Sequence, residues 1–308
     1  MITAVDLLEK IKKNLENLNA VVTVNNQEIT FKKFISSKIE NEEIILFDEV
    51  IATENTTYYT EGFQMLSQSM GTFSKVTEIG RCPDDKEPYT KSKYINNDYK
   101  VGYNYILLND GREKLLIGAL TCNKYQLKFR IYNSGRLTVV MQIFSHANNL
   151  ADTIESEVIT ALSATSNNEL LKAYSDRINR YNKRLFAPKP SGWCSWYCYY
   201  ENISEQIIKD NLKLMEHIDC AKYVLIDDGY QKHMGDWLDF TNKFSNNLQD
   251  LINEIKNAGK EPGIWVAPFI ASGSSELFKK NRAYFAKSRS GKLENAGVNT
   301  YEGWRDLP

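Results

Sequence analysis

Three short apolar runs, Gly192 to Tyr197, Tyr223 to Asp228 and Gly263 to Pro268, constrain this chain most tightly, because two amphipathic helical patterns separate them. Strand, helix, strand, helix, strand in direct succession requires parallel pairing and right-handed crossovers, since parallel neighbours cannot be joined by a tight turn. Such units place their working side chains at the carboxyl ends of the strands. The first helical pattern starts at Ser204, whose hydroxyl can cap it, and sets Ile207, Ile208, Leu212, Met215 and Ile218 on one face. The second carries Leu248, Leu251, Ile252 and Ile255 and stops at Gly259, which supplies a left-handed residue.

The preceding half reads differently. Val5, Leu8, Ile11, Leu15 and Leu18 recur at helical spacing behind Thr3, a capping residue, and predict an opening helix. From Val21 to about Ala161 the period falls to two, most clearly in Tyr125, Leu127, Phe129 and Ile131. Asn109-Asp110-Gly111 and Asn133-Ser134-Gly135 each divide two such runs and predict hairpins. Strands without intervening helices predict a sandwich of antiparallel sheets. Ser166 or Asn167 can then cap a helix to about Arg184, with Leu170, Leu171, Tyr174 and Ile178 facing a partner surface and Pro188 and Pro190 after it. The expected organisation is a β-sandwich with an N-terminal helix over 1–165, a helical linker over 166–187, and part of a parallel α/β domain over 188–308.

The 308 residues carry 38 basic and 39 acidic side chains, a net charge of -1, so no long-range field draws the chain to nucleic acid or an anionic membrane. Asp6, Glu9 and Glu16 interrupt the first twenty residues, which is wrong for a secretory leader, and no run is long enough to span a bilayer. A cytoplasmic location is expected. Cys82, Cys122, Cys194, Cys198 and Cys220 lack metal-ligand spacing and are expected to be reduced and mostly buried. His146, His217 and His233 are too scattered for a triad or a metal site. No glycine-rich phosphate loop is present, and Ser195 lacks the glycines of a nucleophile elbow. Neither a metal nor a cofactor is expected.

Chemistry concentrates after the second apolar run. Tyr223-Val224-Leu225-Ile226 reads as a strand buried on both sides and ends in Asp227-Asp228-Gly229. Adjacent carboxylates there are costly unless something bonds them; most Asp-Asp-Gly sequences serve turns and helix caps. Here Trp196 closes the first run, Trp265 lies in the third, and Gly235-Asp236-Trp237 follows the acid pair. Aromatic rings stack on the apolar faces of pyranoses, and ionised carboxylates accept strong bonds from neighbouring hydroxyls. Trp196, Asp227, Asp228, Trp237 and Trp265 are therefore the candidate sugar-binding residues.

The succession Pro190-Ser191-Gly192-Trp193-Cys194-Ser195-Trp196-Tyr197, Ile226-Asp227-Asp228-Gly229-Tyr230-Gln231, Gly235-Asp236-Trp237 and Pro262-Gly263-Ile264-Trp265-Val266-Ala267-Pro268-Phe269 resembles glycoside hydrolase family 36. These are the melibiase-type α-galactosidases and their raffinose-synthase relatives. The resemblance covers Pro188 to about Leu277; before Ala161 it is loose. It implies a multidomain β plus α/β fold, an antiparallel supersandwich followed by the first part of a (β/α)8 TIM barrel. It also implies that Asp227 and Asp228 bind the galactose 4- and 6-hydroxyls, with Trp196, Trp265 and Trp237 walling the sugar. Glu61-Gly62-Phe63-Gln64 resembles a supersandwich turn that approaches the pocket, but the family's following tryptophan is absent, so these residues are left out of the site.

Retaining glycosidases use two carboxyl groups about 5 to 5.5 Å apart. By the resemblance, the nucleophile follows a lysine on strand four and the acid/base comes from strand six. No Lys-x-Asp follows Trp265, so neither group is assigned here, both are expected beyond Pro308, and the chain is expected to be truncated and inactive alone. Asp227 and Asp228 do not substitute for them, because neighbours on a strand point to opposite faces. The resemblance implies an enzyme acting on terminal α-galactosides of the melibiose and raffinose type, with a galactoside substrate and no nucleic-acid or membrane partner, and it is compatible with a homo-oligomer. A raffinose-synthase-like galactosyltransferase and a carbohydrate-binding protein without turnover stand as alternatives.

Overall fold

The computed structural model describes residues 2–34, 43–62, 68–80, 98–143, 153–183, 189–245, 247–287 and 290–293. Cys82 and His146 lie outside them. The chain divides into two compact units, Met1–Leu185 and Phe186–Pro308.

The first unit opens with helix α1 (Ala4–Asn17), where the Thr3 hydroxyl accepts the Asp6 N–H at 3.1 Å. Its buried stripe is Ala4, Leu7, Leu8, Ile11 and Leu15. Val5 and Leu18, assigned to that stripe by spacing, are exposed: Val5 stands about 100° around the helix from Ala4, and Leu18 is the C-cap residue past the helix end. Twelve antiparallel strands follow among the described residues: β1 (Val21–Asn25), β2 (Glu28–Phe34), β3 (Glu43–Val50), β4 (Thr57–Glu61), β5 (Gln68–Thr72), β6 (Val76–Gly80), β7 (Tyr99–Asn109), β8 (Lys114–Ala119), β9 (Gln126–Tyr132), β10 (Arg136–Gln142), β11 (Thr153–Glu155) and β12 (Ile159–Ala164). The hydrogen-bonded order is β1-β2-β12-β8-β7-β4-β5-β6, with β9 pairing β7 and β10, β10 pairing β3, and β11 pairing β2.

Both expected hairpins are present. Gly111 and Gly135 turn with φ of 90° and 86°, which β-carbons would resist, and the Asp110 carboxylate accepts the N–H groups of Arg112 and Glu113. Leu127, Phe129 and Ile131 point inward as the alternation requires, joining Phe47, Ile106, Leu108, Leu115 and the α1 stripe in one core. This antiparallel wrap is the β-sandwich part of the fold.

Helix α2 (Asn167–Asn182) does not stand as a linker. It lies on β8 and β12, burying Leu170 and Tyr174 among Leu107, Leu116, Leu120 and Leu162, while Leu171 is exposed. Polar contacts fasten it to the same unit: Arg177, Arg180 and the Tyr181 hydroxyl converge on the buried Glu28 carboxylate.

The second unit holds β13 (Gly192–Cys194), the one-turn helix α3 (Trp196–Tyr199), α4 (Glu205–Met215), β14 (Tyr223–Ile226), α5 (Gln249–Asn257), β15 (Glu261–Ile264) and α6 (Glu276–Lys280). The three strands form one parallel sheet, with Gly192 opposite Tyr223 and Tyr223 opposite Glu261. Ser204 caps α4 through the Ile207 N–H, and Gly259 ends α5 with φ of 72°. Ile208, Leu212 and Met215 of α4 and Leu251 and Ile255 of α5 pack with Val224 and Ile226 of the central strand. These are the opening β/α units of a barrel.

Two boundaries differ from expectation. The first strand stops at Cys194, so Trp196 opens α3 rather than closing the strand, and Trp265 lies one residue past β15, although its N–H still bonds Ile226 O at 2.9 Å. Ile218, placed by spacing on the buried face of α4, is exposed beyond the helix end. Among the described residues the thiols are free but not mostly buried: Cys122, Cys198 and Cys220 are exposed and Cys194 is half-buried, because the first three sit in connections and on a helical turn. Among the described residues no helix is long and apolar enough to cross a membrane.

Candidate functional site

The candidate residues sit where the parallel strands end. Ser195 is fully buried; its N–H bonds Leu225 O at 3.2 Å, and its hydroxyl accepts the Asp227 N–H at 2.9 Å. The ends of β13 and β14 are thereby clamped together. Asp227 Oδ1 accepts the Asp228 N–H at 2.8 Å, and Asp227 Oδ2 accepts the Cys194 thiol at 3.2 Å. The costly pair of adjacent carboxylates is thus bonded locally, as burial demands.

Asp228, 7% exposed, accepts the side-chain amide of Gln231, whose carbonyl takes the Gly229 N–H. Gly229 has φ of 109°, and a β-carbon there would stand 2.5 Å from Glu201 O, so the turn that aims Asp228 admits glycine for two separate reasons. Asp228 lines a cavity of about 310 Å³ with Glu201, Asn202, His233, Lys243 and Ser272. Of the five candidates it alone reaches this cavity.

The indoles do not line this cavity and pair with other rings instead. Trp237 and Trp265 meet edge to face at 6.0 Å, and Trp196 meets Tyr200 the same way at 5.3 Å. The buried Tyr230 donates its hydroxyl to Trp265 O at 3.0 Å, tying the acid-pair turn to the third strand. Burial, and then the Asp228 charge, push this phenol up to about 12, so it remains a donor at neutral pH. Asp236, 8% exposed, accepts the N–H groups of Glu276 and Leu277 and holds the Trp237 loop to the start of α6.

The structure therefore joins Asp227 with Asp228 and Trp237 with Trp265, and sets Trp196 at the start of the one-turn helix α3 after the first strand. Sequence reading gave no site role to Cys194, Ser195 and Tyr230, which bond to the candidates; their only signal was position, inside the quoted motifs and within two residues of a candidate. Hydroxyl-accepting carboxylates beside edge-paired indoles suit a polyhydroxylated ring.

The chain is similar in sequence and in fold to known proteins. Residues 178–254 match the family described as raffinose synthase or seed imbibition protein Sip1. An α-galactosidase of Escherichia coli is 30% identical over 111 residues, 34% of this chain and 15% of that protein. The α-galactosidase AgaA of Geobacillus stearothermophilus is 27% identical over 94 residues, 28% of this chain and 13% of its own. Among solved structures, the Thermus thermophilus α-galactosidase TtGalA in complex with p-nitrophenyl α-D-galactopyranoside superposes with a TM-score of 0.66 at 19% identity, over 94% of this chain and 56% of that one. A family 36 variant of AgaA in complex with raffinose gives 0.57 at 14%, over 91% and 40%.

The chain shares the fold of these α-galactosidase structures over the matched portion, and its sequence resembles theirs most clearly in the parallel unit. The chain spans 56% of the length of TtGalA, and its matches to the two curated relatives span 15% and 13% of theirs. Its match to the Sip1 family model runs from α2 to α5 and includes Trp196, Asp227, Asp228 and Trp237.

Proposed function

We propose that this chain supplies the galactose-holding part of an α-galactosidase-type retaining glycoside hydrolase acting on terminal α-galactosides such as melibiose and raffinose. One observation carries the reading: Asp227 and Asp228 directly follow the central parallel strand, whose last residue, Ile226, accepts the N–H of Trp265, and the Trp265 indole meets Trp237 edge to face. In this reading the two carboxylates accept bonds from adjacent sugar hydroxyls, and the indoles cover the apolar face of the ring. Such contacts accelerate a reaction only to the extent that they tighten as positive charge grows at the anomeric carbon. The nucleophile and the acid/base are assigned to no residue of this chain.

Calorimetric titration with galactose tests the pocket. The unaltered chain is expected to bind, and Asp228→Ala to bind at least tenfold more weakly, since a charge-assisted bond contributes about 1.5–3 kcal/mol. Equal heats from the two proteins would remove Asp228 from the site.

The match to the raffinose-synthase model supports a second reading, transfer of galactose to an acceptor sugar rather than to water. The two differ in product: with melibiose and sucrose present together, hydrolysis releases galactose, whereas transfer builds a galactosyl-sucrose.

A further inference from the structure

The thiol of Cys194 occupies a place that none of the sugar contacts explains. Its sulfur faces two partners at once. It donates to Asp227 Oδ2 at 3.2 Å, and it meets the backbone N–H groups of Trp196 and Tyr197, the first residues of α3. One side chain therefore bridges the segment that carries Trp196 and the carboxylate of Asp227. The next residue acts on the same target: the buried Ser195 hydroxyl accepts the Asp227 backbone N–H. Backbone and carboxylate of Asp227 are each held by a side chain from the end of β13.

We propose that Cys194 is a positioning residue for sugar recognition, fixing the Asp227 carboxylate in register with Trp196. The inference rests on the galactose-pocket reading above. With Oδ1 taken by the Asp228 N–H and Oδ2 by the thiol, rotation of the carboxylate would break one of two bonds. The remaining lone pairs of both oxygens then keep fixed directions toward a ligand hydroxyl. A carboxylate so held loses less entropy on binding than one that must first be ordered.

The protonation state suits this role. Burial raises the thiol above its ordinary range; the N–H groups of Trp196 and Tyr197 pull it down, and the Asp227 carboxylate raises it again, with a net upward shift. At neutral pH the group is a thiol, able to donate, and not a thiolate, which would repel Asp227. Alkylation of the sulfur would leave an acceptor against an acceptor. The geometry thus links the modification state of one half-buried cysteine to the aim of a sugar-binding acid.

The test has two arms. In the first, galactose is titrated into the unaltered chain, Cys194→Ser, Cys194→Ala and Asp228→Ala, with the unfolding midpoint of each recorded. Serine keeps a donor and an acceptor at the same position, so its affinity is expected within about threefold of the unaltered chain, while alanine is expected to lose about tenfold, the scale of one hydrogen bond to a charged group. Binding by Cys194→Ala equal to that of the unaltered chain overturns the positioning role while leaving the pocket intact. An unaltered chain that does not bind, or Asp228→Ala binding equally well, overturns the pocket reading and this inference with it. A loss in Cys194→Ala that serine does not restore reduces Cys194 to packing and also overturns it. The second arm needs no sugar: the rate of iodoacetamide alkylation at Cys194, followed by peptide mass spectrometry, is expected to rise several-fold in Asp227→Asn, because the neighbouring negative charge that disfavours thiolate is gone. Equal rates would show that the thiol and carboxylate do not meet in solution.

Discussion

Asp236 accepts the backbone N–H of Leu277 at 3.0 Å, forty-one residues away in sequence. With its other oxygen it takes the Glu276 N–H at 2.9 Å, so one buried carboxylate satisfies two open donors at the start of α6. A negative charge there is also favoured by the dipoles of the first helical turn. The loop after the second strand is thereby fastened to the loop after the third, and Trp237, the next residue, is delivered against Trp265. Close approach elsewhere in the same loop supports the arrangement: Ser272 N–H bonds Met234 O at 2.8 Å, and a β-carbon on Gly235 would stand 2.9 Å from Ala271 Cβ.

Asp236→Ala is therefore expected to lower the stability of the second unit by about 2 kcal/mol, the range for losing a cap and leaving buried donors unpaired. Urea unfolding followed by tryptophan emission reads this directly. An unchanged transition would mean that the α6 cap contributes nothing to the fold.

Gly229→Ala is expected to weaken galactose binding at least as much as Asp228→Ala. The φ of 109° and the 2.5 Å approach to Glu201 O leave no room for a methyl group, so the turn must shift and carry Asp228 with it. Titration alongside Asp228→Ala checks the ordering.

Gly118 and Tyr174 should be energetically coupled. A β-carbon on Gly118 would stand 2.7 Å from the Tyr174 ring, and the Tyr174 hydroxyl donates to Ala119 O at 2.7 Å. Gly118→Ala is expected to cost about 1–3 kcal/mol by overpacking. The same change in a Tyr174→Ala background should cost much less, and a double-mutant cycle showing simple additivity would contradict the contact.

Glu157 gives stability an acid limb. Burial raises its pKa, but the Thr121 hydroxyl and the N–H groups of Lys124, Asn123 and Tyr125 outweigh burial and hold it below the ordinary 4.5. A carboxylate depressed in the folded state stabilises fully above its unfolded pKa and loses that contribution as pH falls through the folded one. Glu157→Gln, which keeps an acceptor but not the charge, should be less stable than the unaltered chain at pH 7 by about 1–2 kcal/mol. The gap should narrow as pH drops below about 4.5. Parallel stability curves down to pH 3 would rule this out.

Much of the architecture was legible because it rests on local periodicity. The alternation of Leu127, Phe129 and Ile131 and the glycine turns at Gly111 and Gly135 describe an antiparallel sheet without knowledge of any partner strand. The apolar run at Tyr223 to Ile226, with helical patterns on either side, likewise demanded parallel pairing. Errors arose where a side chain's fate depends on what lies across from it. Spacing could not tell that Val5 and Leu18 would miss the buried stripe of α1, or that α2 would settle on β8 and β12 instead of bridging two cores.

The chain's order of residues by itself determined which side chains could hold a sugar: two acids just after an apolar strand, of which only Val224 and Ile226 proved buried, and tryptophans near its neighbours. Tertiary structure decided how they are aimed. Cys194 and Ser195 grip Asp227 across more than thirty residues, Gln231 and the left-handed Gly229 turn Asp228 toward its cavity, and Asp236 anchors the Trp237 loop to α6. The physical reason is that a hydrogen bond needs its partners within about 3 Å, a proximity that parallel strand pairing creates between segments whose separation in sequence carries no sign of it.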